Sequence, residues 1–199
     1  MEPQTDTRTR IIETAGTLFY QQGFEAVGLQ KICGQAKVSK SSFYHFFSSK
    51  SEVALAVINS HWQQAEAGQQ QLLESPLSAL DKLRASFETI FTMAEVTHAK
   101  EGKIYGCPFG GLASELACSN AEIRQQVQQV FDHLIEFYST LVAQGIQEGG
   151  LPQGLDVMET AESLVALAQG LSVMGKVYND PSRLRRIGEQ GLNSLLQVS

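Results

Sequence analysis

Only three cysteines occur in the 199 residues. Cys33, Cys107 and Cys118 are an odd number in no CxxC or Cys/His spacing, which excludes a disulfide frame and a zinc site and implies reduced thiols. The four histidines (His45, His61, His98 and His133) are scattered without metal-ligand spacing. No GxSxG elbow, Gly-rich phosphate loop or HExxH occurs, so neither a catalytic constellation nor a metal ion or cofactor is expected. No apolar run reaches the roughly 18 residues of a membrane-spanning helix. The polar start MEPQTDTRTR is not that of a signal peptide, so the expected compartment is the cytoplasm. Internal repeats, low-complexity linkers and strands bounded by turn signals are missing as well.

Apolar residues make up 43 % and charged residues 18 %, the balance of a globular chain. The length suits one large domain, or a small domain fused to a medium one. The net charge of −6 is uneven. Residues 1–60 hold six Lys/Arg against five Asp/Glu, net +1, whereas residues 61–199 hold nine against sixteen, net −7. A near-neutral head on an acidic body suggests two jobs in one chain.

Helical periodicity runs throughout. Ile11, Ala15, Leu18 and Phe19 form an i, i+4, i+7, i+8 stripe, and Gly23 ends that helix. Short helices follow at Leu29–Ala36 and Lys40–Phe46, the second capped by Ser39. A longer helix runs from Ser49–Lys50 towards Leu73, and Ser75-Pro76 opens another. A helix over Cys107–Ala117 and a capping box at Ser119–Glu122 come next. The EGGLPQG loop ends the long helix after it, and Asp156 and Asp180-Pro181 open the last two. Head and body are expected to pack directly together. The fold class is all-α, with domains at 1–52 and 53–199.

Two short helices behind an amphipathic first one have the spacing of a helix-turn-helix. Ile32, Cys33, Ala36 and Val38 make its apolar seam, and Phe43 with Phe47 is an inward i, i+4 pair. Tyr44 is turned about 100° away from Phe43. Lys40, Ser41, Ser42, Tyr44 and His45 are therefore left outward: one cation and short hydrogen-bonding groups, suited to phosphates and base edges. Phe46 is balanced between the rim of the core and the DNA backbone. Arg8 and Arg10 read as a solvated terminus diluted by Glu2 and Asp6, with a DNA-reaching arm as the alternative.

On Gly23-Phe24, Ile32, Val38-Ser39-Lys40, Phe43-Tyr44-His45, Phe47 and Ser49-Lys50, the stretch Arg8–Ala56 resembles the DNA-binding domain of TetR-family bacterial repressors. The resemblance implies an operator surface of Gln30, Lys37, Ser39, Lys40, Ser41, Ser42, Tyr44, His45 and Lys50. Tyr44 and Lys50 would hold phosphates; Lys40, Ser41 and His45 would lie nearest the bases. Two residues depart from the family pattern. Val27-Gly28 is a poorer cap than the usual Thr-Ser/Thr, and Lys37 replaces the turn glycine, a strain of roughly 1 kcal/mol.

In the body, LVALAQGLSVM (164–174) is apolar nearly all round, as a helix buried on two sides would be. Its own domain and a second subunit supply those sides, with Ala166, Ala168 and Gly170 allowing close approach. The expected homodimer interface is Leu164, Leu167, Leu171, Met174, Leu192 and Leu195, and the operator is then near-palindromic double-stranded DNA. Family resemblance also implies a small-molecule effector, with Phe87, Phe91, Phe109, Phe131 and Tyr138 as candidate lining. The Gly-Cys step at Cys107 is similar to a TetR subgroup in which such a cysteine senses electrophiles, or in which apolar effectors bind. A thiol at a helix start near Lys103 fits a sensor, and packing at a helix junction is the alternative. The rival functions are a helical ligand-binding protein without DNA, and a thiol-dependent enzyme built on Cys107. Repression is the family default.

Overall fold

The computed structural model describes residues 4–198, and the side chains from residue 7 onward. Glu2 and the Asp6 side chain lie outside the described residues. Among these there are nine helices and no strand: α1 (Gln4–Gln22), α2 (Leu29–Ala36), α3 (Lys40–Phe46), α4 (Lys50–Glu74), α5 (Ala79–Glu101), α6 (Pro108–Leu116), α7 (Ala121–Gln147), α8 (Val157–Tyr178) and α9 (Pro181–Leu196). The all-α class holds. Local chemistry explains most of the ends. Gly23, at φ +85°, closes α1, because a residue without Cβ enters the left-handed region freely. Ser39, Asp156 and Asp180 accept the N–H groups of Ser42, Glu159 and Arg183, each three residues on.

Two starts differ from expectation by a short shift. α5 opens at Ala79, capped by Ser78, whose Oγ accepts the Asp81 N–H. Ser75 instead donates its hydroxyl back to the Leu72 carbonyl, so Ser75-Pro76 belongs to the turn after α4. At α7 the cap is Asn120, whose Oδ1 accepts the Ile123 N–H, while the Ser119 hydroxyl turns back to Leu116. A serine near a helix end can bond forward as a cap or backward to a carbonyl, and sequence spacing does not choose between them.

The chain divides into two compact units. Unit 1 comprises residues 1–65 and 108–128; unit 2 comprises 66–107 and 129–199. Unit 1 has a core of Ile11, Leu18, Ile32, Phe43, Phe47 and Ile58. Arg10 donates from Nε to the Ala36 carbonyl at 2.9 Å, meeting the carbonyl end of α2 where a cation is favoured. Arg8 lies 5.2 Å from the centre of the Phe47 ring. Arg10 is thus docked on the head, whereas Arg8 stays solvent-exposed beside the Phe47 ring.

Unit 2 is built around Leu83, Phe87, Phe91, Tyr138, Leu141, Leu164, Leu171 and Leu192. A Cβ on Gly188 would meet the Phe91 ring at 2.4 Å, so α9 approaches α5 as closely as a bare backbone allows. Arg185 grips α5 from the same helix, with 2.6 Å to Glu88 and 3.0 Å to Glu95. Lys82 is 4 % exposed and donates to the Leu73 carbonyl at 2.7 Å, which joins α5 to the end of α4. No described helix is long and apolar enough to cross a membrane.

Candidate functional site

The site begins with a strained turn. Lys37 closes α2 at φ 53° and ψ 46°, and its N–H together with that of Val38 returns to the carbonyls of Gly34 and Cys33. The strain expected of a non-glycine there is present. At the other end of α2, Gly28 has extended dihedrals and forms no side-chain cap, as expected of Val27-Gly28. Val27 is fully buried, so that position serves the core. Cys33 is 5 % exposed where α2 meets its neighbours, and burial raises its thiol pKa above the ordinary value.

α3 is two-sided. Phe43 is 0 % and Phe47 2 % exposed, with ring centres 5.8 Å apart, whereas Tyr44 is 57 % exposed. Tyr44 stands edge-on to Phe43 at 5.6 Å, so one ring anchors the base of the other. Gln30, Lys37, Ser39, Lys40, Ser41 and His45 are all exposed, and Ser42 is half-buried. Phe46 is half-buried with its ring edge-on to His45 at 4.9 Å, a rim residue that orients the imidazole. Such a surface offers a cation, hydroxyls and an imidazole on a rigid helix, with the apolar half turned away.

Lys50 is used differently from expectation. Its ammonium donates to the Phe24 carbonyl at 2.9 Å and to the Val27 carbonyl at 3.2 Å, and lies 3.9 Å from the centre of the Phe24 ring. Two of its three donors are thus held inside the head, and Lys50 braces the α1–α2 turn. The start of α4 is organised by its neighbours. Ser49 Oγ accepts the Glu52 N–H, and the Glu52 carboxylate reaches back to the N–H and hydroxyl of Ser48. Those bonds from Ser48, then the charge of Arg8, hold the Glu52 carboxyl below its ordinary pKa.

In unit 2 the expected dimer residues separate. Leu164, Leu171 and Leu192 are 0 %, 1 % and 3 % exposed within the single chain and have no surface left for a partner. That assignment is corrected: they are core. Leu167, Met174 and Leu195 remain half-buried. The outward stripe of α8 is instead Ala166, Gly170, Val173 and Val177, with Val173 60 % and Val177 72 % exposed. The i, i+4, i+7, i+11 spacing was open to reading; which of two apolar stripes faces out was not.

The candidate effector rings are also split. Phe87 packs against both Phe91 and Tyr138 in the core of unit 2, with ring centres 6.5 and 6.1 Å away. Phe87 has no accessible surface, so it meets a ligand only if the core opens. Burial raises the Tyr138 phenol pKa, and Ser86 is the hydrogen-bonding neighbour of its hydroxyl at 3.5 Å. Phe131 is half-buried and keeps accessible surface. Phe109 belongs to unit 1, edge-on to His61 at 6.4 Å. Cys107 is half-buried immediately before α6, and its N–H donates to Ser172 Oγ. Sequence reasoning missed Glu115, whose carboxylate accepts the N–H groups of Phe24 and Glu25 at 3.0 Å each. A contact across 91 positions leaves no local pattern.

Residues 11–57 match the family described as "Bacterial regulatory proteins, tetR family", and residues 79–190 match "Tetracyclin repressor-like, C-terminal domain". An uncharacterised HTH-type transcriptional regulator of Lactococcus lactis is 27 % identical over 88 % of this chain and 86 % of its own length. The HTH-type transcriptional repressor NemR of Escherichia coli is 26 % identical over 86 % and 85 %. The crystal structure of reduced NemR superposes with a TM-score of 0.84 at 24 % identity, over 97 % and 96 % of the two chains.

Proposed function

This chain belongs to the tetR family of bacterial regulatory proteins, and from that premise we propose that it is a cytoplasmic repressor holding a near-palindromic operator as a homodimer. Membership makes it a DNA-binding transcriptional regulator and not an enzyme, which removes the thiol-dependent enzyme as a reading. Repression follows the E. coli relative, which is described as a repressor.

The observation that carries the operator assignment is the two-sidedness of α3. Phe43 and Phe47 hold the helix to the core, leaving Lys40, Ser41, Tyr44 and His45 outward. Lys40, Ser41 and His45 read base edges; Tyr44, Ser42, Ser39, Gln30 and Lys37 hold phosphate and sugar. Lys50 supports the surface from behind. The second copy covers the Ala166–Gly170–Val173–Val177 stripe with Leu167, Met174 and Leu195. We keep residues 1–52 as the DNA-binding domain and 53–199 as the effector and dimerisation domain.

Release requires an effector that binds the DNA-bound and DNA-free states unequally. Phe131, with accessible surface in unit 2, is the first candidate contact for a small apolar molecule, whereas Phe91 and Tyr138 are core that must open before they meet one. An electrophile or oxidant acting at Cys107 is the alternative signal. The description of the E. coli relative's structure as a reduced form supports a thiol-responsive reading.

One experiment tests both halves. Duplexes are selected by the wild-type protein from a random pool, and binding is followed against salt and N-ethylmaleimide. Affinity is expected to fall steeply with salt, by roughly 10³-fold or more between 50 and 200 mM for six or more phosphate contacts. Maleimide is expected to release wild type but not Cys107→Ser. A salt-independent affinity removes the DNA assignment, and release of both proteins alike removes Cys107 as the sensor.

A further inference from the structure

The turn between α1 and α2 is held by opposite charges on opposite sides of its backbone. Gly23 in its left-handed conformation ends α1 and leaves the next two N–H groups, those of Phe24 and Glu25, pointing the same way. Successive N–H groups aimed at one point form an anion-binding concavity. Glu115, near the end of α6, fills it with one carboxylate oxygen on each N–H, both at 3.0 Å. On the carbonyl side, Lys50 takes the oxygens of Phe24 and Val27. Gly23 has a second role here: a Cβ in its place would come within 2.9 Å of Glu115 Oε1.

This turn leads directly into α2, whose own cap residue, Gly28, offers no side-chain bond. Burial of Phe24 and Val27 anchors the turn but is non-directional. The carboxylate supplies direction, since charge-assisted bonds to N–H groups are stronger and more sharply oriented than neutral ones. Glu115 is itself exposed, so burial does not account for its placement. A negative charge on a head that approaches a polyanion works against binding unless it organises something there. We infer that Glu115 is a positioning residue for DNA recognition: its carboxylate sets the α1–α2 turn and thereby the presentation of α2 and α3. This rests on the DNA-binding reading of unit 1.

The test pairs Glu115→Gln with Glu25→Gln, an exposed carboxylate next to the same turn whose loss changes the charge equally. Binding is measured on the duplex selected by the wild-type protein, with amide hydrogen exchange and Tm alongside. Glu115→Gln is expected to weaken binding about tenfold, as for the loss of one or two charge-assisted bonds, and to speed exchange at the Phe24 and Glu25 amides while Tm stays within a few degrees. Glu25→Gln is expected to bind as tightly as wild type or tighter, since only repulsion is removed. Glu115→Lys, which sets a cation against two N–H donors, is expected to lose more than Glu115→Gln. Equal affinities for the two Gln variants, or unchanged exchange at the two amides, overturn the inference. A pool from which wild type selects no duplex overturns the DNA-binding reading itself, and this inference with it.

Discussion

α3 and α8 each bury one apolar side and expose another side, yet their exposed sides are chemically opposite. α3 hides Phe43 and shows Lys40, Ser41, Tyr44 and His45; α8 hides Leu164 and Leu171 and shows Ala166, Gly170, Val173 and Val177. An inward face follows the same rule everywhere, because any apolar group leaves water when it can. An outward face is free of that rule, so its composition reports what it meets. Hydrogen-bonding groups with a cation suit a polyanion, and a small apolar stripe suits a second copy of itself.

The inner faces of the two helices should respond alike. Phe43→Ala is expected to cost about 3–5 kcal/mol and Leu164→Ala about 2–5 kcal/mol in urea unfolding. A negligible cost for either removes that residue from the core.

The outer faces should then respond differently. Val173→Asp combined with Val177→Asp is expected to weaken self-association roughly 100-fold in sedimentation, from about 1.5 kcal/mol or more lost per valine. The fold of each subunit, followed by circular dichroism, stays intact. Unchanged dimerisation moves the interface off this stripe.

Lys40→Ala is a smaller change on the other outer face. It is expected to cost about 1–3 kcal/mol at the preferred duplex and to relax sequence preference there. Tyr44→Phe, lacking only the hydroxyl, weakens all duplexes alike and by less. Competition against scrambled duplexes separates the two, and if neither variant changes binding, α3 is not the reading helix.

The smallest effect is electrostatic and belongs to unit 1. His61 faces the backbone of Gly16 and the ring of Phe109, and burial lowers its pKa below 6.5. The unfolded chain therefore takes up a proton there at a higher pH than the folded one. Stability is fully present above about pH 6.5 and declines as pH falls towards the folded value. His61→Gln should flatten that slope in Tm against pH; an unchanged slope assigns it to other groups.

Much of this was open to reading because it is local. The Gly23 stop, the Ser39 and Asp180 caps, the left-handed Lys37 and the Phe43/Phe47 pair each depend on residues within one or two turns. Spacing along a helix then carries the physics directly. The starts of α5 and α7 shifted because Ser75 and Ser119 bond backwards, an option equally compatible with the same letters.

By itself the sequence determined the all-α class, the helix-turn-helix and the side of α3 that faces outward, since periodicity separates a polar face from an apolar one. Tertiary structure alone decided the rest. It chose which of two apolar stripes of α8 became core, because both satisfy the same periodicity. It drew Lys50 away from the surface to two carbonyls, and set Glu115 against two N–H groups 90 and 91 residues away. Such bonds join a side chain to a backbone, and every residue has that carbonyl and all but proline that N–H, so no pairing of residue types announces them.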